Sequence, residues 1–353
     1  MKTKEKLQLI EDTWRHYIWE YNFFRKKLNF NNELDTNYVG VIFGYFHDTL
    51  PILENIKLDK KNSLENHFLN SIGILQLIYV QQDLIYELNK SFGLTHKINF
   101  GKNRELRNEL IGHPISRNKD KSLKSFCLFG YHPTEKGDIT YLKYHKDNDF
   151  NCEINGYFTD VIIEEHIKFL NVNFDLILDN IKILFSEFKC NLTKILEDYG
   201  TIDFKILVNK VNEDFNNFLV SDKVFHFERI LKCSDFAETH NRYRYNIDLF
   251  LINLKSSLIE NINNINHKYL NKKKIIIENN FIDLPSNYTF GKLYDNHPIF
   301  GINYFMERFS ENKEIIEELE NMDNNIGNEF EYYCSYNYLR HLINLNYPHF
   351  FNE

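Results

Sequence analysis

Apolar residues recur at three- and four-residue steps through most of the chain, which is the helical period. Residues 7–28 carry Leu9, Ile10, Trp14, Tyr17, Ile18, Tyr21 and Phe24 at that spacing and predict one amphipathic helix. A second is predicted over 37–56, with Pro51 placed to kink or divide it. A third, strongly apolar, covers 63–89 and stops near Ser91-Phe92-Gly93, where the glycine suits a helix end. A short helix over 103–112 ends at Gly112 and is closed off by Pro114. The period then shortens. Phe126–Phe129, Ile139–Tyr144 and Phe150–Ile154 read as strands with Pro133 and Gly137 in the turns, so a small antiparallel insertion is expected over about 124–158. Helical spacing returns over 159–198, and further helices are predicted over 203–219, 223–268 with breaks, 301–322 and 326–346. Residues 272–292 are less regular, with a candidate strand at Ile275-Ile276-Ile277.

The fold class expected is mainly α: an N-terminal helical bundle with a small antiparallel β insertion, then a helical C-terminal domain. At 353 residues the chain exceeds the size at which one core keeps growing. The turn at Tyr199-Gly200-Thr201-Ile202-Asp203 is the best boundary, giving domains over 1–200 and 201–353.

Composition changes this picture little. Hydrophobic residues at 43% and charged residues at 26% are a globular balance. The net charge of −8 argues against broad, sequence-blind binding of polyanions but leaves room for one local basic site. Five widely spread cysteines with no CxxC pair indicate neither a zinc knuckle nor a disulfide framework, and reduced thiols in a cytoplasm are the simplest expectation. No apolar run approaches the ~20 residues of a membrane span, and the N-terminus lacks the apolar core of a signal peptide.

Candidate chemistry lies in Arg107-Asn108-Glu109-Leu110-Ile111-Gly112-His113. Of ten arginines, only Arg107 has a histidine five to seven residues on. An imidazole titrates near neutrality, so it takes or gives a proton at working pH, while a guanidinium holds two phosphate oxygens in a planar fork. Together they suit proton transfer and charge stabilisation at a phosphate ester. Six positions of straight helix, however, rise about 9 Å and leave the two residues roughly 120° apart around the axis. The helix stop at Gly112 and Pro114 frees His113 to turn back. The plainer reading is a helix end in which His113 caps the last carbonyls and Arg107 pairs with Glu109 or another carboxylate.

This segment resembles the Arg–polar–x(3 to 5)–His motif of the HEPN domains, helical bundles that often act as ribonucleases in toxin–antitoxin and phage-defence systems. The likeness rests on Arg107, the polar Asn108 after it, His113, and the placement of the motif behind long amphipathic helices. It implies a HEPN-like bundle over 1–200, catalysis by Arg107 and His113 with no metal or other cofactor, and an RNA substrate. It also implies a homodimer whose two motifs face one cleft, an antitoxin or trigger protein as partner, and a sensing or substrate-selecting role for 201–353. Asn108 and Arg104 are supporting candidates. Arg117 and Lys119, in a basic run with Lys121 and Lys124, and Arg242 and Arg244 in His240-Asn241-Arg242-Tyr243-Arg244-Tyr245 are candidate RNA contacts. Asp83 is a candidate to position Arg107. Two other readings stand beside this one: a non-catalytic helical assembly module, and an HD-type metal-dependent phosphohydrolase suggested by His47-Asp48 and His16.

Overall fold

The computed structural model describes residues 1–56, 64–131, 135–218, 226–265 and 301–350. The candidate strand at Ile275–Ile277 and the Pro133 turn lie outside these residues. These residues are mainly α-helical, with one small antiparallel sheet among them. Contacts divide the chain into two compact units, residues 1–19 with 24–184, and residues 20–23 with 185–353.

The first unit opens with α1 (Thr3–Thr13), a π-helical turn (Trp14–Ile18) and α2 (Asn22–Lys27), where one helix is predicted. The extra residue of a π turn leaves the apolar spacing unbroken while shifting its phase, so Trp14, Tyr17 and Ile18 all point inward. Helix α3 (Tyr38–Asn55) keeps Pro51 inside it, with Leu50 and Leu53 buried on either side. Helix α4 (Leu64–Ser91) is about 42 Å long at 1.5 Å per residue. It ends as predicted at Gly93, whose φ of +69° favours glycine, while Leu94 N donates back to the Asn89 carbonyl at 2.9 Å.

Next come α5 (Gly101–Arg107), a second π-helical turn (Asn108–Gly112), and four strands: β1 (Ile115–Arg117), β2 (Leu123–Tyr131), β3 (Ile139–His145) and β4 (Cys152–Tyr157). They form an antiparallel meander in the order β1-β2-β3-β4. Three of these strands are predicted. The first is a short edge strand held by pairing of Ile115 with Phe126 and by the bond from Cys127 N to the Pro114 carbonyl. Helix α6 (Thr159–Asp198) closes the unit. Leu53, Ile74, Leu75, Ile78, Leu106, Leu110, Ile139, Tyr141 and Ile162 form one core beneath α5 and its π turn. Burial of Leu106 and Leu110 fixes which side of that turn faces outward.

The second unit takes the rest of α6 with α7 (Phe204–Phe218), α8 (Phe227–Phe236), α9 (Asn241–Ile265), α10 (Ile302–Arg308), α11 (Lys313–Asn324) and α12 (Glu329–Asn346). The turn at Tyr199–Asp203 joins α6 to α7 inside this unit, and the division falls within α6 instead. The helix predicted over 301–322 is two, because the Asn312 side chain accepts from Ile315 N at 3.2 Å and starts α11 afresh. No helix among the described residues is long and apolar enough to cross a membrane.

Candidate active site

Arg107 is the last residue of α5, and the π turn that follows alters the geometry expected of a straight helix. In a π turn the backbone bonds skip one further residue, so positions five apart stack on one another. His113 N accordingly donates to the Asn108 carbonyl at 2.7 Å. Arg107 and Gly112 are related in the same way. The guanidinium lies so close to Gly112 that an added Cβ there would meet Nη1 at 2.8 Å. The chain thus brings Arg107 to the residue immediately before His113, and glycine is what leaves room for it.

The partners of Arg107 are neutral. Gln76 on α4 accepts from Nε at 3.2 Å and Nη2 at 3.1 Å, and Asn108 Oδ1 accepts from Nη1 at 3.1 Å. The guanidinium carbon also lies 4.2 Å from the centre of the Tyr79 ring. No carboxylate among the described residues pairs with it. Three of its five N–H groups are engaged, which leaves two for an incoming anion. His113 is exposed, and no side chain among the described residues bonds its ring.

Glu109, a possible partner of Arg107 from sequence, turns to the sheet instead. It pairs with Lys143 and accepts from the Tyr141 hydroxyl at 3.3 Å, with the Cys127 thiol at 3.6 Å. Burial, with Glu109 beside it, raises the Cys127 thiol to about 12, and the same causes push the Tyr141 phenol up. Burial pulls the Lys143 ammonium down, but the bond to Glu109 outweighs it and its pKa is raised. The cluster therefore holds one ion pair between two protonated groups and anchors the π turn to β2 and β3.

Arg104 sits one helical turn before Arg107 and shares its platform. Its guanidinium carbon lies 4.3 Å from the Tyr79 ring centre and 4.4 Å from that of Phe100. Asp83 binds it at 2.8 Å, so Asp83 positions Arg104 and not Arg107. Asn108 orients the Arg107 guanidinium with its side chain, whereas its contact with His113 is through the backbone.

Comparisons with protein-family models, curated proteins and solved structures give no match for this chain.

Arg117 and Lys119 stand on the β1–β2 hairpin directly after the motif, and Arg117 Nη1 donates to the Lys121 carbonyl at 2.9 Å. Between residues 115 and 125 four basic side chains face Asp120 alone. The Arg242 expectation is corrected. Its guanidinium is buried and paired with Glu318 at 3.2 Å, with Nε on His240 Nδ1, so it is spent inside the second unit. Arg244 is exposed and bonds Glu238 at 3.1 Å. Tyr243 and Tyr245 likewise pack inward, on Phe330 and His341. His47 binds the buried Glu11 at 2.6 Å, and no group of three or more His, Cys, Asp or Glu side chains able to hold a metal occurs among the described residues.

Gln76, Tyr79 and Phe100 are neighbours of the candidate site that sequence reasoning missed. The usable signal is the i, i+3 spacing of Gln76 and Tyr79 on α4, which puts an amide and a ring on one helix face.

Proposed function

We propose that this protein is a metal-independent endoribonuclease of the HEPN type, with Arg107 as phosphate clamp and His113 as general acid or base. The observation that carries the reading is an arginine held entirely by neutral groups, with two N–H donors free, packed against the residue preceding an exposed histidine. A structural arginine of this kind ordinarily meets a carboxylate, as Arg104 and Arg242 do here.

In the reaction, the 2′-oxygen forms a bond to phosphorus as the bond to the 5′-oxygen breaks. The 2′-hydroxyl proton is taken up and the leaving oxygen receives one. The products are a 2′,3′-cyclic phosphate and a 5′-hydroxyl. Arg107 binds the two non-bridging oxygens as their charge grows, and His113 carries one of the two proton transfers, a contribution of about 10²–10⁴-fold. Pairing of two copies around one cleft supplies a second imidazole for the other transfer. The biological setting proposed is a cytoplasmic toxin or abortive-infection effector, released or triggered by a partner protein, with the second unit sensing the trigger or choosing the RNA.

The test is incubation of purified protein with total RNA in EDTA and analysis of the new ends. Cleavage that leaves cyclic phosphates and vanishes in His113→Ala supports the proposal. Inert wild-type protein, or cleavage unchanged in a folded His113→Ala variant, removes it.

A further inference from the structure

The connection between α4 and α5 and the first half of α6 border an open groove of about 370 Å³ in the first unit. Ile98, Phe169, Val172 and Leu176 supply apolar walls, Lys97, Lys168 and Glu165 supply charge, and His96 lies on the same rim. The lining amide of Asn173 is fixed. Its Nδ2 donates to the Phe169 carbonyl at 2.9 Å and its Oδ1 accepts from Asn89 at 3.0 Å.

A row of neighbouring rings and guanidinium groups links this groove to the Arg107 site. Phe169 packs on Phe100 with ring centres 6.2 Å apart, Phe100 carries Arg104, and Arg104 and Arg107 share Tyr79. Phe169 lines the groove as the ring for a base, Arg107 keeps its charge for the phosphate, and Arg104, paired with Asp83, holds the Tyr79 and Phe100 rings between them.

We propose that the groove is a base-binding subsite for a nucleotide flanking the scissile phosphate, and that it prefers bases bearing an exocyclic amino group over uracil. This inference rests on the ribonuclease reading above. A base has flat apolar faces, which the walls of the groove match, and a polar edge. The Glu165 carboxylate only accepts hydrogen bonds when ionised, so it favours the amino edge of cytosine or adenine over uracil, whose one edge donor, N3–H, lies between two carbonyl oxygens that a carboxylate repels. Lys97 offers a cation to the attached phosphate.

The experiment uses His113→Ala protein, which binds without cutting, and fluorescence anisotropy with fluorescein-labelled oligo(A), oligo(C) and oligo(U). The expected result is at least about fivefold tighter binding of oligo(A) and oligo(C) than of oligo(U). That difference should be erased by Val172→Trp, which fills the groove from an exposed position, and reduced by Glu165→Gln. Equal affinity for the three RNAs, weakened by Arg107→Ala, removes the groove and leaves the nuclease reading standing. A preference that survives Val172→Trp in a protein of unchanged melting temperature also removes it. Failure of the His113→Ala protein to bind any of them overturns both.

Discussion

A guanidinium surrounded by neutral groups keeps its charge for whatever anion arrives. Gln76 is the residue that makes this so, because an amide oxygen orients Nε and Nη2 without neutralising them. Gln76→Glu would keep the shape and supply a competing carboxylate. RNA cleavage is expected to fall at least about tenfold while thermal stability holds or rises, since the new ion pair is half-buried. Gly112→Ala tests the close approach directly. Its Cβ would displace Nη1, so cleavage should drop by about 10²-fold, the size of losing one positioned donor, with little change in melting temperature. Equal activity in either variant would show that the seated guanidinium is not used. Arg107 and His113 stand out in the sequence because their residue types are sparse and their spacing is short. Gln76 does not, because one glutamine on a long helix looks like any solvated position until the fold sets it beside an arginine thirty-one residues later.

At the scale of elements, the two π turns escaped the sequence pattern for a common reason. A single inserted residue shifts the phase of a helix without removing any apolar position, as Trp14 to Ile18 shows. Strand β1 was hidden by its length of three residues and by Pro114 before it. The long helices α4 and α6 were plain because their apolar stripes run for many turns. Between them lies a polar chain that apolar spacing does not reveal, with His166 on α6 bonded at 2.8 Å to Gln81 on α4, whose amide donates to Thr49. Burial lowers the His166 imidazole from 6.5 to about 3. Its folded pKa lies below its unfolded one, so the stability tied to its neutral form is present above pH 6.5 and is lost as pH falls toward 3. Wild-type protein should therefore lose melting temperature relative to His166→Gln on acidification through that window. Parallel pH curves for the two would refute this.

For the whole molecule, the two units carry opposite pH signatures. In the second unit burial raises the Glu318 carboxyl from 4.5 to about 7 despite Arg242 beside it. A raised folded pKa contributes stability that is complete below 4.5 and is lost as pH rises through 7. Calorimetry should show wild type losing stability relative to Glu318→Gln across that range, and a constant difference would contradict it. Charge at this scale also bears on substrate. With net charge −8, RNA contact should be confined to the Arg107 site, the adjoining hairpin and the groove at Lys97. Four contacting cations, Arg107, Arg117, Lys119 and Lys97, would give a log–log salt slope of about −3. A slope several times steeper would mean a wide basic footprint that these residues do not provide. The mainly helical class was readable from spacing alone, whereas the division inside α6 was not, because a forty-residue helix passes between units with no break in its pattern.

The most direct measurement is the end chemistry of RNA incubated in EDTA with wild-type protein, Arg107→Ala and His113→Ala, all checked for equal melting temperature. The expected result is 2′,3′-cyclic phosphate and 5′-hydroxyl ends from wild type alone, with each variant slowed by at least about 10²-fold. Equal cleavage by all three proteins, or none by any, would contradict it.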